Sequence, residues 1–318
     1  MKVLVTATSF KPDNPTPALQ QLQQFADEVV YNPVGRPLTE DELIPLLQGC
    51  DGYIAGLDFV TEKVIRACDR LKVISRYGAG VDRVDLKAAA QYDITVCNTP
   101  GANAQAVADL ALGLMLSAAR RLPMLDEKTR DGQWVRSTGI ELYGKTLGIL
   151  GLGAIGKSVA KRGQGFDMRV MAYDPFLNEE YALQHDIQPA SFNQVVENCD
   201  IISLHLPLND ETRHIISREV MERMKPGTIL INSARGGLID EAAAYELLKS
   251  GHLGGLGLDA YEQEPPTASP LFELDNVICT PHTGSHTREA TAAMAKMSVE
   301  NLIQVLKGEP CPHALKVG

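Results

Sequence analysis

Residues 146–175, TLGILGLGAIGKSVAKRGQGFDMRVMAYDP, constrain the fold of this 318-residue chain more than any other stretch. The apolar run 147–150 has the pattern of a buried parallel strand. Gly151, Gly153 and Gly156 follow in G-x-G-x-x-G spacing, then a helical pattern from 154 to about 164, then a second apolar strand, 169–173, that ends on Asp174. Each part has a task in holding a dinucleotide. Gly151 permits a tight turn, Gly153 lets a pyrophosphate approach the backbone, and Gly156 lets the helix pack close to the strand. The helix N-terminus at Ala154 and Ile155 offers free N–H groups to the phosphates. Asp174, 18 residues beyond Gly156, is placed to bond both ribose hydroxyls of an adenosine. The glycine spacing alone is a weak signal, but the strand before it, the helix after it and the acid ending the next strand set it apart from a plain glycine-rich turn. No Arg or Lys stands among Pro175, Phe176, Leu177 and Asn178, so the expected cofactor is NAD and not NADP.

Strand and helix patterns alternate along the rest of the chain. Before residue 98 they describe a small βα domain of flavodoxin-like character. Asn98-Thr99-Pro100-Gly101 breaks the pattern, a long apolar helix follows over 104–121, and further βα units continue past the glycine loop to a final amphipathic helix over 289–306. The expected fold is α/β in two domains, a Rossmann doubly wound parallel sheet inserted in a flavodoxin-like substrate domain. The substrate domain comprises 1–98 and 285–318, the dinucleotide-binding domain 99–284. The chain crosses between them at 98–101 and 283–286, which are the expected hinges. With 44% hydrophobic and 22% charged residues the chain has the composition of a soluble globular protein. A net charge of −10 argues against nucleic acid and anionic membranes as partners, while a local group of arginines can still receive a small anion. The cysteines at 50, 68, 97, 199, 279 and 311 show no C-x-x-C and no Cys/His metal spacing, so no metal is expected. The opening MKVLVTA lacks the apolar region of a signal peptide, and no run is long enough to span a membrane. A reducing cytoplasm fits this cysteine usage.

In an open parallel α/β sheet, ligands bind beyond the carboxyl ends of the strands, so the residues just after each strand matter most. After 228–232 comes Ser233-Ala234-Arg235-Gly236-Gly237, where two glycines clear space for a guanidinium fork suited to a carboxylate. After 253–258 come Asp259 and, in a proline-flanked loop, Glu264. After 277–280 comes Pro281-His282-Thr283-Gly284. Glu264 and His282 read as a carboxylate–imidazole pair, in which the carboxylate favours the charged ring and fixes its tautomer. Such a pair gives a proton to a carbonyl oxygen as hydride arrives and takes it back in reverse. After 73–76 come Tyr77, Gly78, Ala79, Gly80 and Val81, whose backbone N–H groups can form an anion nest, with Arg76 as an added cation. Each residue also has an ordinary structural reading: a salt bridge for Arg235, a solvated loop acid for Glu264, a turn residue for His282.

The order G-x-G-x-x-G, Asp174, Ser-Ala-Arg235-Gly, Glu264-Pro, Pro-His282 resembles the D-2-hydroxyacid dehydrogenase family over nearly the whole chain. The resemblance implies a catalytic set of Arg235, Glu264 and His282. It implies a substrate loop at Arg76, Tyr77, Gly78, Ala79 and Gly80, and cofactor contacts from His205, Pro207, Thr212, Ser233, Ala234 and Asp259. Within the family, the substrate loop, Gly139-Ile140-Glu141-Leu142 and Trp134-Val135-Arg136 are most similar to the D-3-phosphoglycerate dehydrogenases, in which the tryptophan segment often reaches a neighbouring subunit. Arg76 and Arg136 are then the candidate phosphate contacts. Two departures stand out: Thr283-Gly284-Ser285-His286 replaces the usual Gly-Ala-Ser, and with the sequence ending at Gly318 the regulatory domains of many such enzymes are expected to be absent. The resemblance implies hydride transfer between NAD and C2 of a small anionic 2-hydroxy or 2-oxo acid, in a cleft between the domains. 3-Phosphoglycerate is the first expectation for the substrate, with glyoxylate or hydroxypyruvate reduction as the alternative. A non-enzymatic NAD-sensing corepressor is the reading from another class. The apolar helix 104–121 is expected to form a homodimer interface.

Overall fold

The computed structural model describes residues 1–316. Twelve strands are assigned among them: β1 (Lys2–Val5), β2 (Glu28–Tyr31), β3 (Gly52–Ala55), β4 (Val73–Arg76), β5 (Thr95–Cys97), β6 (Thr146–Leu150), β7 (Arg169–Tyr173), β8 (Ile187–Pro189), β9 (Ile201–Leu204), β10 (Thr228–Asn232), β11 (Leu253–Leu258) and β12 (Val277–Cys279). They form two sheets, and every pair within them is parallel. The chain divides into two compact units, Met1–Asn103 with His286–Gly318 and Ala104–Ser285.

The first unit holds the five-stranded sheet in the order β2-β1-β3-β4-β5, the flavodoxin-like arrangement. The helix Arg288–Leu306 returns to this unit and packs on β3, β4 and β5. Ser75 on β4 donates its hydroxyl to the Ser298 carbonyl at 2.8 Å. Asn98–Asn103 still belongs here: Thr99 N–H donates to the Gly78 carbonyl at 3.0 Å, and Asn301 Nδ2 donates to the Asn98 carbonyl at 2.9 Å.

The second unit holds seven strands in the order β12-β11-β10-β9-β6-β7-β8. Strand order reverses between β6 and β9, which is the switch point of a doubly wound sheet. The central strands β6, β9 and β10 are buried on both faces, as their unbroken apolar runs require. One strand, β8, escapes the pattern of the sequence. It is three residues long, polar at Gln188, and ends on Pro189; proline cannot donate to a ladder and is tolerated because β8 is the sheet edge.

The helix Ala104–Arg120 revises an expectation. Ala108, Ala111, Leu112, Leu114, Met115, Ala118 and Ala119 are buried in the core of their own unit, with Leu147, Ile149, Ile229 and Ile231 of the sheet. Its apolar character is therefore accounted for inside one chain and is not in itself the mark of a dimer interface. Among the exposed apolar side chains, Trp134 at 85% and Tyr143 at 70% exposure lie further on, in a segment without regular structure.

Candidate functional site

In the second unit the residues singled out from the sequence, Arg136 apart, lie at or just beyond the carboxyl ends of six strands. The glycine loop leaves β6 with Gly151 at φ +102°. At Gly156 a Cβ would fall 2.0 Å from the Gly151 carbonyl oxygen, so only glycine lets the helix Ala154–Gly165 sit this close to the loop. At Gly153 a Cβ would meet nothing within 4 Å; the space there is open, and Gly153 and Ala154 are exposed. The first helical bond runs from Lys157 N–H to the Gly153 carbonyl at 2.9 Å, which leaves the preceding amides at the helix N-terminus for an anion.

Asp174 ends β7 with its carboxylate turned to this loop. Oδ2 accepts from Leu152 N–H at 2.8 Å and Oδ1 from Phe176 N–H at 2.9 Å. The two amides fix the carboxylate, and each oxygen keeps a further lone pair for a hydroxyl donor.

Two buried polar atoms at the ends of β9 and β10 have no hydrogen-bond partner among the described residues: His205 Nδ1 and Ser233 Oγ. His205 bonds through Nε2 to Ser203 Oγ at 2.9 Å, and burial lowers its pKa to about 3, so the ring is neutral. Orphaned buried polar atoms are costly, and these two lie where a dinucleotide crosses the sheet ends. With the open glycine loop and the fixed Asp174, the residues present fit NAD. Thr212 donates its hydroxyl to the Pro207 carbonyl at 2.6 Å and so staples the 207–212 loop.

Arg235 follows β10 on a turn held by Asn232, which is fully buried. Asn232 Nδ2 donates to the Arg235 carbonyl at 2.7 Å and its Oδ1 accepts from Ala234 N–H at 3.1 Å. Arg235 itself donates to the Ala234 carbonyl at 2.8 Å. The adjoining glycines, expected to clear space for the guanidinium, are each pressed against another part of the unit. A Cβ on Gly236 would fall 1.8 Å from the Tyr261 carbonyl carbon, and one on Gly237 would touch Leu208 and Arg213. Gly236 instead admits the backbone of the β11 loop, which carries Glu264.

Glu264 Oε1 accepts from His282 Nδ1 at 2.8 Å, and from Tyr261 N–H at 3.3 Å. The pair is part-buried, with side chains 17% and 27% exposed. A carboxylate on Nδ1 puts the ring proton there and turns Nε2 outward. Asp259, 2% exposed, holds the turn that presents His282: Oδ1 accepts from Thr280 Oγ1 and Thr283 N–H, both at 2.7 Å, and Oδ2 from Gly284 N–H at 2.8 Å. Asn232, Tyr261 and Thr280 escaped the sequence reading; the one signal was a polar residue ending an apolar strand. Tyr261 joins the two loops, its hydroxyl donating to the Thr280 carbonyl at 2.8 Å.

In the first unit Arg76 is 5% exposed. Its Nη1 donates to the Ala55 carbonyl at 3.3 Å and to the Tyr77 carbonyl. The guanidinium thus lies beneath the 77–80 turn and shapes it. Asn98 Nδ2 adds a bond to the Ala79 carbonyl at 2.7 Å, and Thr99 Oγ1 accepts from Gly78 N–H at 3.0 Å. Arg136, in the second unit, is exposed beside Trp134. Among the described residues no group of His, Cys, Asp and Glu is arranged to hold a metal ion, and no helix is long and apolar enough to cross a membrane.

The NAD-binding domain of the D-isomer specific 2-hydroxyacid dehydrogenases matches residues 112–284. The chain is 42% identical over 313 residues to a D-3-phosphoglycerate dehydrogenase of Methanocaldococcus jannaschii, covering 97% of this chain and 58% of that protein. It thus spans little more than half the length of that relative. It is also 42% identical to a hydroxypyruvate reductase of Thermotoga maritima over 275 residues, 85% of this chain and 89% of the relative. A solved protein from Thermus thermophilus superposes with a TM-score of 0.87 at 38% identity, over 99% of this chain and all of the other.

Proposed function

Since the chain belongs to the D-isomer specific 2-hydroxyacid dehydrogenases, we propose that it moves hydride between NAD and C2 of a small 2-hydroxy or 2-oxo acid. The observation that carries this reading is the Glu264–His282 pair at 2.8 Å, at the ends of β11 and β12 in the unit that carries the glycine loop. NAD supplies the hydride when bound, with Gly151–Gly156, Asp174, His205, Pro207, Thr212, Ser233 and Ala234 as its binding set. His282 Nε2 holds the proton destined for the C2 oxygen, and Glu264 fixes the ring and balances its charge once protonated. Arg235 polarises the carbonyl and pairs with the substrate carboxylate. Asp259 acts through the turn that carries His282. The Gly78, Ala79 and Gly80 backbone, shaped from below by Arg76, is the anion-binding loop of the substrate domain, residues 1–98 and 285–318.

For the substrate, 3-phosphoglycerate takes its support from the relatives' names and assigns the phosphate to Arg136. The buried position of Arg76 among carbonyls favours the second reading, an unphosphorylated 2-oxo acid such as hydroxypyruvate or glyoxylate. The test is NADH oxidation with both kinds of acid. A kcat/KM for phosphohydroxypyruvate above that for hydroxypyruvate, lost in Arg136→Ala, supports the phosphorylated substrate; equal values support the other. Tight NADH binding with no turnover of any 2-oxo acid would refute the enzyme and favour an NAD-sensing binding protein. A homodimer covering Trp134 and Tyr143 is the proposed assembly, and a monomer in sedimentation at micromolar concentration would refute it. The cytoplasm, where unpaired cysteines persist, is the proposed compartment.

A further inference from the structure

The first unit brings two cysteine sulfurs into contact across 214 residues of sequence. Cys97 ends β5 and is fully buried. Cys311 is part-exposed, on the segment that returns alongside β5 after the helix Arg288–Leu306. That segment is pinned: Leu315 N–H donates to the Val96 carbonyl at 2.8 Å, and Ala314 pairs with Cys97 in an antiparallel bridge. The Sγ atoms stand 3.6 Å apart. A disulfide needs about 2.05 Å, so a closure of about 1.5 Å joins them.

The pair is wired to the substrate loop of the same unit. Asn301, 1% exposed, is the hub. Its Oδ1 accepts from Cys311 Sγ at 3.5 Å and from His313 Nδ1 at 2.9 Å, while its Nδ2 donates to the Asn98 carbonyl at 2.9 Å. Asn98 in turn donates to the Ala79 carbonyl at 2.7 Å. The other thiols are placed differently: Cys50 and Cys68 donate to the helical carbonyls of Leu46 and Val64, Cys199 is buried, and Cys279 is exposed at the end of β12.

We infer that Cys97 and Cys311 are a redox-active dithiol, which a peroxide converts to an intramolecular disulfide that takes the Cys311 thiol away from Asn301 and loosens the support of the Ala79 loop. Cys311, the accessible sulfur, attacks first. Its S–O bond forms as the peroxide O–O bond breaks, and the departing hydroxide leaves as water with the thiol proton. The Cys97 sulfur then attacks the sulfenic sulfur of Cys311. The S–S bond forms, the S–O bond breaks, and hydroxide leaves with the Cys97 proton as a second water. Burial and the neighbouring Cys311 push the Cys97 thiol up, which keeps it protonated and leaves the first attack on peroxide to the accessible Cys311.

The disulfide stands independently of the catalytic reading; its kinetic consequence rests on that reading. The test is to treat the reduced full-length chain with hydrogen peroxide, count thiols in denaturant and map the cross-linked peptides. The expected result is a titre falling from six to four, a single linked peptide pair containing Cys97 and Cys311, and recovery of all thiols with dithiothreitol. Cys311→Ser and Cys97→Ser should each fail to form the link. A titre that stays at six, a loss confined to Cys279, or a link between other cysteines would overturn the proposal. The oxidised chain should also show a raised KM for its 2-oxo acid that dithiothreitol reverses and that Cys311→Ser lacks. An unchanged KM would overturn the coupling to Ala79. A reduced chain that turns over no 2-oxo acid would count against the catalytic reading, and the thiol count and peptide map would still decide the dithiol.

Discussion

Adding one methyl group at Gly236 tests how the β10 and β11 loops share the site. A Cβ there would stand 1.8 Å from the Tyr261 carbonyl carbon, 2.1 Å from its oxygen and 2.2 Å from the Glu262 nitrogen. Favourable contact begins near ~3.5 Å, so the loop must retreat by about 1.5 Å. The obstacle is backbone, and no change of rotamer relieves it. Glu264 follows two residues later and bonds back to Tyr261 N–H at 3.3 Å, so the retreat carries the carboxylate away from His282. Overpacking of this kind costs about 3 kcal/mol, and a misplacement of about 1 Å at a reacting group costs about 100-fold in turnover. Gly236→Ala should therefore lower the urea midpoint and cut kcat about 100-fold, while NADH binding, read by fluorescence, stays within a few-fold because the β6 loop is untouched. Gly153→Ala is the matched control. Nothing lies within 4 Å of its Cβ, so it should cost well under ~1 kcal/mol of stability and act on NADH affinity instead. If Gly236→Ala kept both its midpoint and a kcat within a few-fold of the parent, the two loops would not be in the contact described.

His282→Ala should lower kcat about 10²–10⁴-fold with little change in the NADH dissociation constant; loss of NADH affinity in proportion would mean that the ring binds and does not transfer protons. Asp174→Ala should weaken NADH about tenfold or more and reduce its advantage over NADPH, since it removes the acceptor at the ribose and frees the Leu152 and Phe176 amides; unchanged cofactor selectivity would refute that role. His205 gives a pH dependence whose sign follows from its burial. Its folded pKa is lowered to about 3 against ~6.5 for an open chain, so the unfolded state binds the extra proton and stability falls as pH drops below ~6.5. The cofactor-free second unit should lose about 1–2 kcal/mol between pH 6.5 and 5, and His205→Gln should flatten that slope in urea titrations. In the first unit, Asp58 is 2% exposed and accepts from Leu38 N–H at 2.6 Å, from Tyr53 Oη at 2.9 Å and from Thr6 Oγ1. Asp58→Ala removes the acceptor of all three, of which only Thr6 and Tyr53 can still pair with each other, at 3.0 Å, and should cost about 2–3 kcal/mol; a loss under ~1 kcal/mol would show that the donors find other acceptors.

What the sequence discloses about this site depends on how far along the chain each physical cause acts. The glycine loop, the strand that precedes it and Asp174 are bound by spacing within 30 residues, and the residue types alone state the geometry. The pairing of Glu264 with His282 spans 18 residues and becomes legible once both are placed at ends of neighbouring parallel strands. Gly236 is different. Its nearest neighbour in space is the backbone of Tyr261, and backbone leaves no trace in residue identity, so a glycine that admits another loop looks the same as one that clears room for a side chain. Arg76 fails to disclose itself for the same reason: the carbonyls of Ala55 and Tyr77 that claim its guanidinium are features of a fold and not of a motif. The apolar helix Ala104–Arg120 shows the converse, since its composition announces burial but not the surface that buries it, and that surface is the sheet of its own unit. The consequence reaches the chemistry. Residues whose side chains face the ligand can be named from their types and order, whereas those that hold them in place — Asn232 beneath the Arg235 turn, Asp259 beneath the His282 turn — work by bonding backbone amides and carbonyls. Substitutions at such supports should therefore change kcat through geometry while leaving every ligand-facing group intact, and they are where the fold and the proposed reaction are most tightly joined.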